Sequence, residues 1–109
     1  MKQKRAIGME FLGTMILAIA IVGSGHMAAN LAQDGGVKLL INALATALGL
    51  AVVIKVGMKT SGAHFNPAVT LVMAILKKIS NEVAALYIAA QVLGAILGVG
   101  IANLIYDQS

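Results

Sequence analysis

The sequence predicts an all-α membrane protein with three transmembrane helices and one re-entrant half-helix. Hydrophobic residues make up 60% of the 109 residues and charged ones only 11%, against roughly 25% charged in soluble domains. The apolar residues fall into three long blocks, and the chain's single proline, Pro67, follows Asn66 at the start of a fourth, shorter one. A soluble three-helix bundle would need a polar face on each helix, and the blocks show no such periodicity.

The first block, Ile7 to Gly25, is broken only by Glu10 and predicts a span over roughly residues 6–26. Lys2, Lys4 and Arg5 ahead of it have the look of a secretory leader, but a glutamate inside the run and two further blocks behind it argue against cleavage. From His26 to Lys38 the residues Asn30, Gln33, Asp34, Gly35 and Gly36 read as an external turn. The second block, Leu39 to Ile54, carries no charge and predicts a span over roughly residues 38–57, with Lys38 and Lys55 snorkelling to the interfaces. The third, Val83 to Tyr106, is also uncharged and predicts a span over roughly residues 82–105. Ser80 and Asn81 offer caps for it, and Glu82 sits in its first turn, where an acid suits the helix dipole.

Between the second and third blocks, roughly residues 60–77 do not read as an ordinary loop. Their polar start gives way to Val69, Leu71, Val72, Met73, Ile75 and Leu76. Asparagine followed by proline is the N-cap and N1 pattern that opens a helix. From Asn66 to Lys77 there is room for about eleven residues, roughly 16 Å of helix, or half of a ~30 Å hydrocarbon core. Such a helix begins inside the membrane, and its free N–H groups must point at something polar.

Lys2, Lys4 and Arg5 precede the first span, Lys55, Lys59, Lys77 and Lys78 lie between the second and third, and Lys38 stands alone on the other side. The positive-inside rule then places the N-terminus in the cytoplasm and the C-terminus outside, in an inner or plasma membrane. The net charge of +4 follows from this topology and does not indicate nucleic-acid binding. Small residues recur at a spacing of four, as Ala43, Ala47 and Ala51 in the second block and Ala90, Gly94, Gly98 and Ala102 in the third, which lets helix backbones approach closely in lipid. There is no cysteine, so no thiolate or disulfide chemistry. His64, with no Cys, Asp or second His beside it, is a poor metal ligand, and no metal or other cofactor is expected.

Met9-Glu10-Phe11-Leu12-Gly13-Thr14, the run from Ser61 to Thr70, and Ala90-Gln91-Val92-Leu93-Gly94-Ala95 occur in this order and resemble the first half of the aquaporin and glycerol-facilitator family. The likeness covers nearly the whole chain. It implies one inverted-repeat unit of that fold, with no catalysed chemistry. Two such halves meet with their half-helices touching in mid-membrane. Asn66 would cap its helix and turn its NH2 toward a permeating oxygen, Pro67 would fix the first turn, and Ala68 would leave room for the facing half. The carbonyls of Gly62, Ala63, His64 and Phe65 would line the pore as acceptors, and the positive helix end would repel cations.

The resemblance further implies that Glu10 accepts hydrogen bonds from the loop backbone and that His64 fixes the loop. The second half would be an inverted copy of this chain, a separate chain, or the rest of a longer protein, with further assembly into a larger homo-oligomer. The lysine asymmetry opposes insertion in both orientations, whereas the ending at Asp107-Gln108-Ser109 reads as that of a complete small protein. The family's water-selective members carry a filter arginine, and a pore from two copies would have none near Thr46, Ala63 and Val69. Water and small neutral solutes such as glycerol are the expected permeants. A small proton-coupled multidrug-type transporter using Glu10 is the rival reading, although four Phe and Tyr residues in total and no Trp do not suit it. A non-conducting fragment or assembly partner is a further alternative.

Overall fold

A computed structural model describes residues 2–106; Met1, Asp107, Gln108 and Ser109 lie outside the described residues. Four helices follow in order: α1 (Lys2–Leu31), α2 (Gly35–Ser61), α3 (Pro67–Ile75) and α4 (Asn81–Ile105). No strand occurs among the described residues. Helices α1, α2 and α4 have 30, 27 and 25 residues and are long and apolar enough to cross a membrane. The bundle measures 46 Å along its longest axis, close to the ~40–45 Å of a bilayer with its headgroup regions.

The helices run further than the hydrophobic blocks alone suggested. The stretch from His26 to Lys38, expected as a turn, is mostly helical, because α1 continues through Met27, Ala28 and Ala29 to Leu31 and α2 starts at Gly35. Only Ala32, Gln33 and Asp34 connect them, and Asp34 caps α2 by accepting from the Val37 N–H at 2.9 Å. Polar residues at a span end do not stop a helix whose backbone can project past the hydrocarbon. Helix α4 begins at its expected cap, with the Ser80 hydroxyl accepting from the Val83 N–H at 3.2 Å.

Packing centres on α1, which touches both α2 and α4, while α3 packs on α4. The α1–α4 seam is close because Gly94 and Gly98 present no side chain: a methyl group on either would run into the carbonyl of Phe11 or of Met15. Ala90 and Ala102 extend the same buried stripe. At the far end of the bundle His26 Nε2 and Asn103 Oδ1 lie 2.9 Å apart, and the His26 ring stacks on Tyr106 at 5.4 Å. The α1–α2 seam is polar near that end, where the Asn42 amide donates to Ile21 O and to Ser24 Oγ, each at 2.9 Å.

Candidate functional site

The segment between α2 and α3 turns sharply. Gly62 closes α2 with φ 87° and donates to Met58 O at 3.0 Å, while Ala63 and Phe65 adopt φ 56° and 52°. The left-handed conformation costs a non-glycine residue roughly 1 kcal/mol or more, so two such residues persist only where their surroundings hold them.

Glu10 does most of that holding. It is fully buried, and four donors converge on its carboxyl: the His64 N–H at 3.1 Å and the Ser61 hydroxyl at 2.6 Å on Oε2, and the Phe65 N–H at 2.8 Å and the Gln91 amide at 2.6 Å on Oε1. The carboxyl acts purely as an acceptor and brings α1, the end of α2, the loop and α4 to one point. Hydrogen bonds contribute about 0.5–1.5 kcal/mol each, and the four together offset the strain at Ala63 and Phe65.

A second ring of contacts surrounds this one. The Tyr87 hydroxyl donates to Ser61 O at 2.8 Å, and the Tyr87 ring meets His64 edge-on at 5.1 Å. His64 Nδ1 lies 2.8 Å from Thr70 Oγ1, which also accepts from the Gln91 amide at 2.9 Å. Thr70 is fully buried, so the first turn of α3 is pinned both to the loop and to α4. The Phe65 ring is buried between Gly13 and Gly57, where a methyl on either glycine would overlap it. Only the backbone of Phe65 is therefore free to line a passage.

Asn66 opens α3. Its backbone is extended, its Oδ1 accepts from the Ala68 N–H at 2.7 Å, and Pro67 occupies the first turn. Among the described residues its Nδ2 has no partner, and Asn66 with Pro67 lines a groove of about 400 Å³ between α1 and α4, walled by Leu17, Ile21, Val92 and Ile96. Helix α3 has nine residues, fewer than the eleven expected, because Lys77 turns left-handed at φ 60°. Lys78 N then reaches Met73 O at 2.9 Å and Lys77 N reaches Ala74 O at 3.0 Å, the paired bonds of a Schellman ending with lysine where glycine is usual.

Ala68 and Val69 flank a shallow apolar recess on α3 with Val72 and Met73. Thr46 does not join them, since α2 makes no packing contact with α3, and among the described residues its buried hydroxyl has no partner. Phe65, Asn66 and Pro67 line the groove, Gly62, Ala63 and His64 lie in the loop before them, and Thr46 is set apart on α2. No group of three or more metal-ligating side chains occurs among the described residues. Ser61, Thr70 and Gln91, quoted from sequence only as motif residues without a role, complete the site together with Tyr87, which sequence reasoning missed. For Gln91 the available signal was a carboxamide in an uncharged span.

Three spans and a capped half-helix that starts in mid-bundle define a multi-pass membrane protein with a re-entrant segment. The family model for the major intrinsic proteins matches residues 1–109, and the chain belongs to that family. It is 45% identical over 98 residues to the aquaglyceroporin AqpS of Rhizobium meliloti, covering 90% of this chain and 42% of that protein. Similarity extends to aquaporin TIP4-4 of Zea mays, at 43% over 85% of this chain and 38% of the relative, and to mouse aquaporin-4, at 37% over 96% and 32%. The chain thus spans from about a third to two fifths of the length of these relatives.

Proposed function

We propose that the chain is one half of a passive pore for water and small neutral solutes such as glycerol, completed by a second half in inverted orientation. The observation that carries this is Asn66: its Oδ1 is occupied as a helix cap while its Nδ2 is unpaired beside the α1–α4 groove. A fixed donor at the positive end of a half-helix suits a neutral oxygen and disfavours a cation. Gly62, Ala63, His64 and Phe65 offer their carbonyls to the same passage. Ala63 and Val69 are the proposed lining of its wider mouth, which lacks a fixed cation; Thr46, set apart on α2, would reach it only across the passage. No bond is made or broken, and the relatives' names as aquaporins and an aquaglyceroporin support both permeant classes.

The second half is another copy of this chain, assembled further into a homo-oligomer. One observation favours instead a second half of different sequence: seven of the eight basic residues lie at one end of the bundle, a bias that directs insertion one way. By the same bias the N-terminus is cytoplasmic. The proton-coupled alternative needs an accessible carboxyl, and that of Glu10 is buried under four donors.

Light scattering from proteoliposomes under an osmotic gradient tests the reading. Fast shrinkage with water and measurable glycerol entry are expected, independent of any proton gradient. Complete glycerol exclusion would remove the wide mouth, and gradient-driven transport abolished by Glu10→Gln would replace the pore with a transporter.

A further inference from the structure

Three hydrogen bonds link the Glu10 carboxyl to the imidazole of His64. With the His64 and Phe65 N–H groups and the Ser61 hydroxyl upon it, the carboxyl serves as an acceptor only. The atom of Gln91 that stands 2.6 Å from Glu10 Oε1 must then be a donor, which puts the Gln91 NH2 there and turns its carbonyl away. The orientation is held at the expense of that carbonyl: Gln91 Oε1 is buried and has no partner among the described residues.

The same NH2 also donates to Thr70 Oγ1 at 2.9 Å, and His64 Nδ1 lies 2.8 Å from that oxygen. Thr70 is fully buried, and His64 Nδ1 is the one acceptor within reach of its hydroxyl proton among the described residues. A proton on Nδ1 would make the hydroxyl accept twice and leave its own O–H unmet, a loss that moves an equilibrium by about tenfold or more. Nδ1 is therefore the acceptor, and the proton of the neutral ring sits on Nε2.

We propose that Glu10 sets the tautomer of His64 through Gln91 and Thr70, and that the resulting Nε2–H is a second fixed donor, beside that of Asn66, for the oxygen of water or of a neutral hydroxylated solute. Nε2 has no partner among the described residues and is not sealed from solvent. It stands over Gly62, where the first carbon of a side chain would lie 3.5 Å away. The Tyr87 ring packs edge-on against the imidazole at 5.1 Å. A ring free to switch would serve donors and acceptors alike, whereas the fixed ring selects acceptors. Gln91 and Thr70 are positioning residues, since they act through the ring. The place of the proton stands whether or not the chain conducts; the use made of the donor rests on the proposed passage.

Nitrogen NMR of the whole chain, carrying isotopically labelled histidine and reconstituted in lipid at about pH 8, where an ordinary imidazole is neutral, reads the tautomer directly. The His26 signals are identified by their loss in His26→Gln. For His64 a pyridine-type Nδ1 and a pyrrole-type Nε2 are expected, in about tenfold excess or more over the reverse form. Thr70→Val should lower that excess severalfold, drawing the two signals together, and Thr70→Ser, which keeps the hydroxyl, should restore it. The Nε2 proton should exchange magnetisation with water, and with glycerol when glycerol is added. A protonated Nδ1 in the wild type, or a Thr70→Val spectrum equal to that of the wild type, would overturn the relay, and the first of these decides even if Thr70→Val fails to fold. An Nε2 proton silent toward both water and glycerol would overturn the donor's role. Failure of the pore reading would show separately, as absent osmotic flux with these spectra unchanged.

Discussion

Helices α2 and α4 carry the same spacing of small residues, and the fold uses the two stripes in opposite ways. On α4, Ala90, Gly94, Gly98 and Ala102 are buried against α1, so closely that the two glycines face carbonyl oxygens. On α2, Ala43, Ala47 and Ala51 are all exposed, and α2 meets α1 along another face, where Gly49 approaches the Ala20 methyl. A small-residue stripe therefore states how near another helix can come but not whether this chain supplies that helix. Glu10 is bonded to both helices, through Gln91 of α4 and Ser61 of α2, yet only on α4 does the stripe lie on the face turned to α1.

The sharpest way to break the contrast is Glu10→Ala. It removes the acceptor shared by four donors, two of them N–H groups of the strained loop that have no other, and should destabilise the chain by about 3 kcal/mol, read as a lower midpoint of unfolding in detergent. Gly94→Val comes next, since its side chain meets the Phe11 carbonyl, which cannot step aside; roughly 3 kcal/mol is expected by the same measurement. Ser80→Ala removes a cap from the start of α4 and should cost about 1 kcal/mol. Smallest of all, Ala47→Leu on the exposed stripe should shift the stability of the single chain by no more than about 0.5 kcal/mol. A large loss from Ala47→Leu, or none from Gly94→Val, would erase the distinction between the stripes.

Much of this was legible in the residues. The three spans, the Asn66 and Ser80 caps and the close stripe on α4 all follow from local pattern, because helix periods and caps are set within a few positions. Glu10 stood out as the lone charge inside a span, yet its donors lie 51 to 81 positions away, and no local rule pairs it with Gln91 or Ser61. Phe65 was legible as a motif residue but not as a plug between Gly13 and Gly57, since that fit needs two helices already in place. Lys77 in a left-handed turn contradicts its own preference, so the early end of α3 was hidden as well. Whether a small stripe is covered depends on which face of the helix meets its neighbour, and local pattern does not carry that.

The central claim is that Asn66 faces a passage for neutral molecules once a second half is present. Stopped-flow osmotic shrinkage of proteoliposomes containing only this chain tests it most directly, with wild type and Asn66→Asp compared and proton leak followed in parallel. Fast water flux in the wild type, with added proton leak in Asn66→Asp, is the predicted result. Shrinkage no faster than protein-free liposomes would contradict a self-paired pore, and water flux with unchanged proton leak in Asn66→Asp would contradict the place given to Asn66.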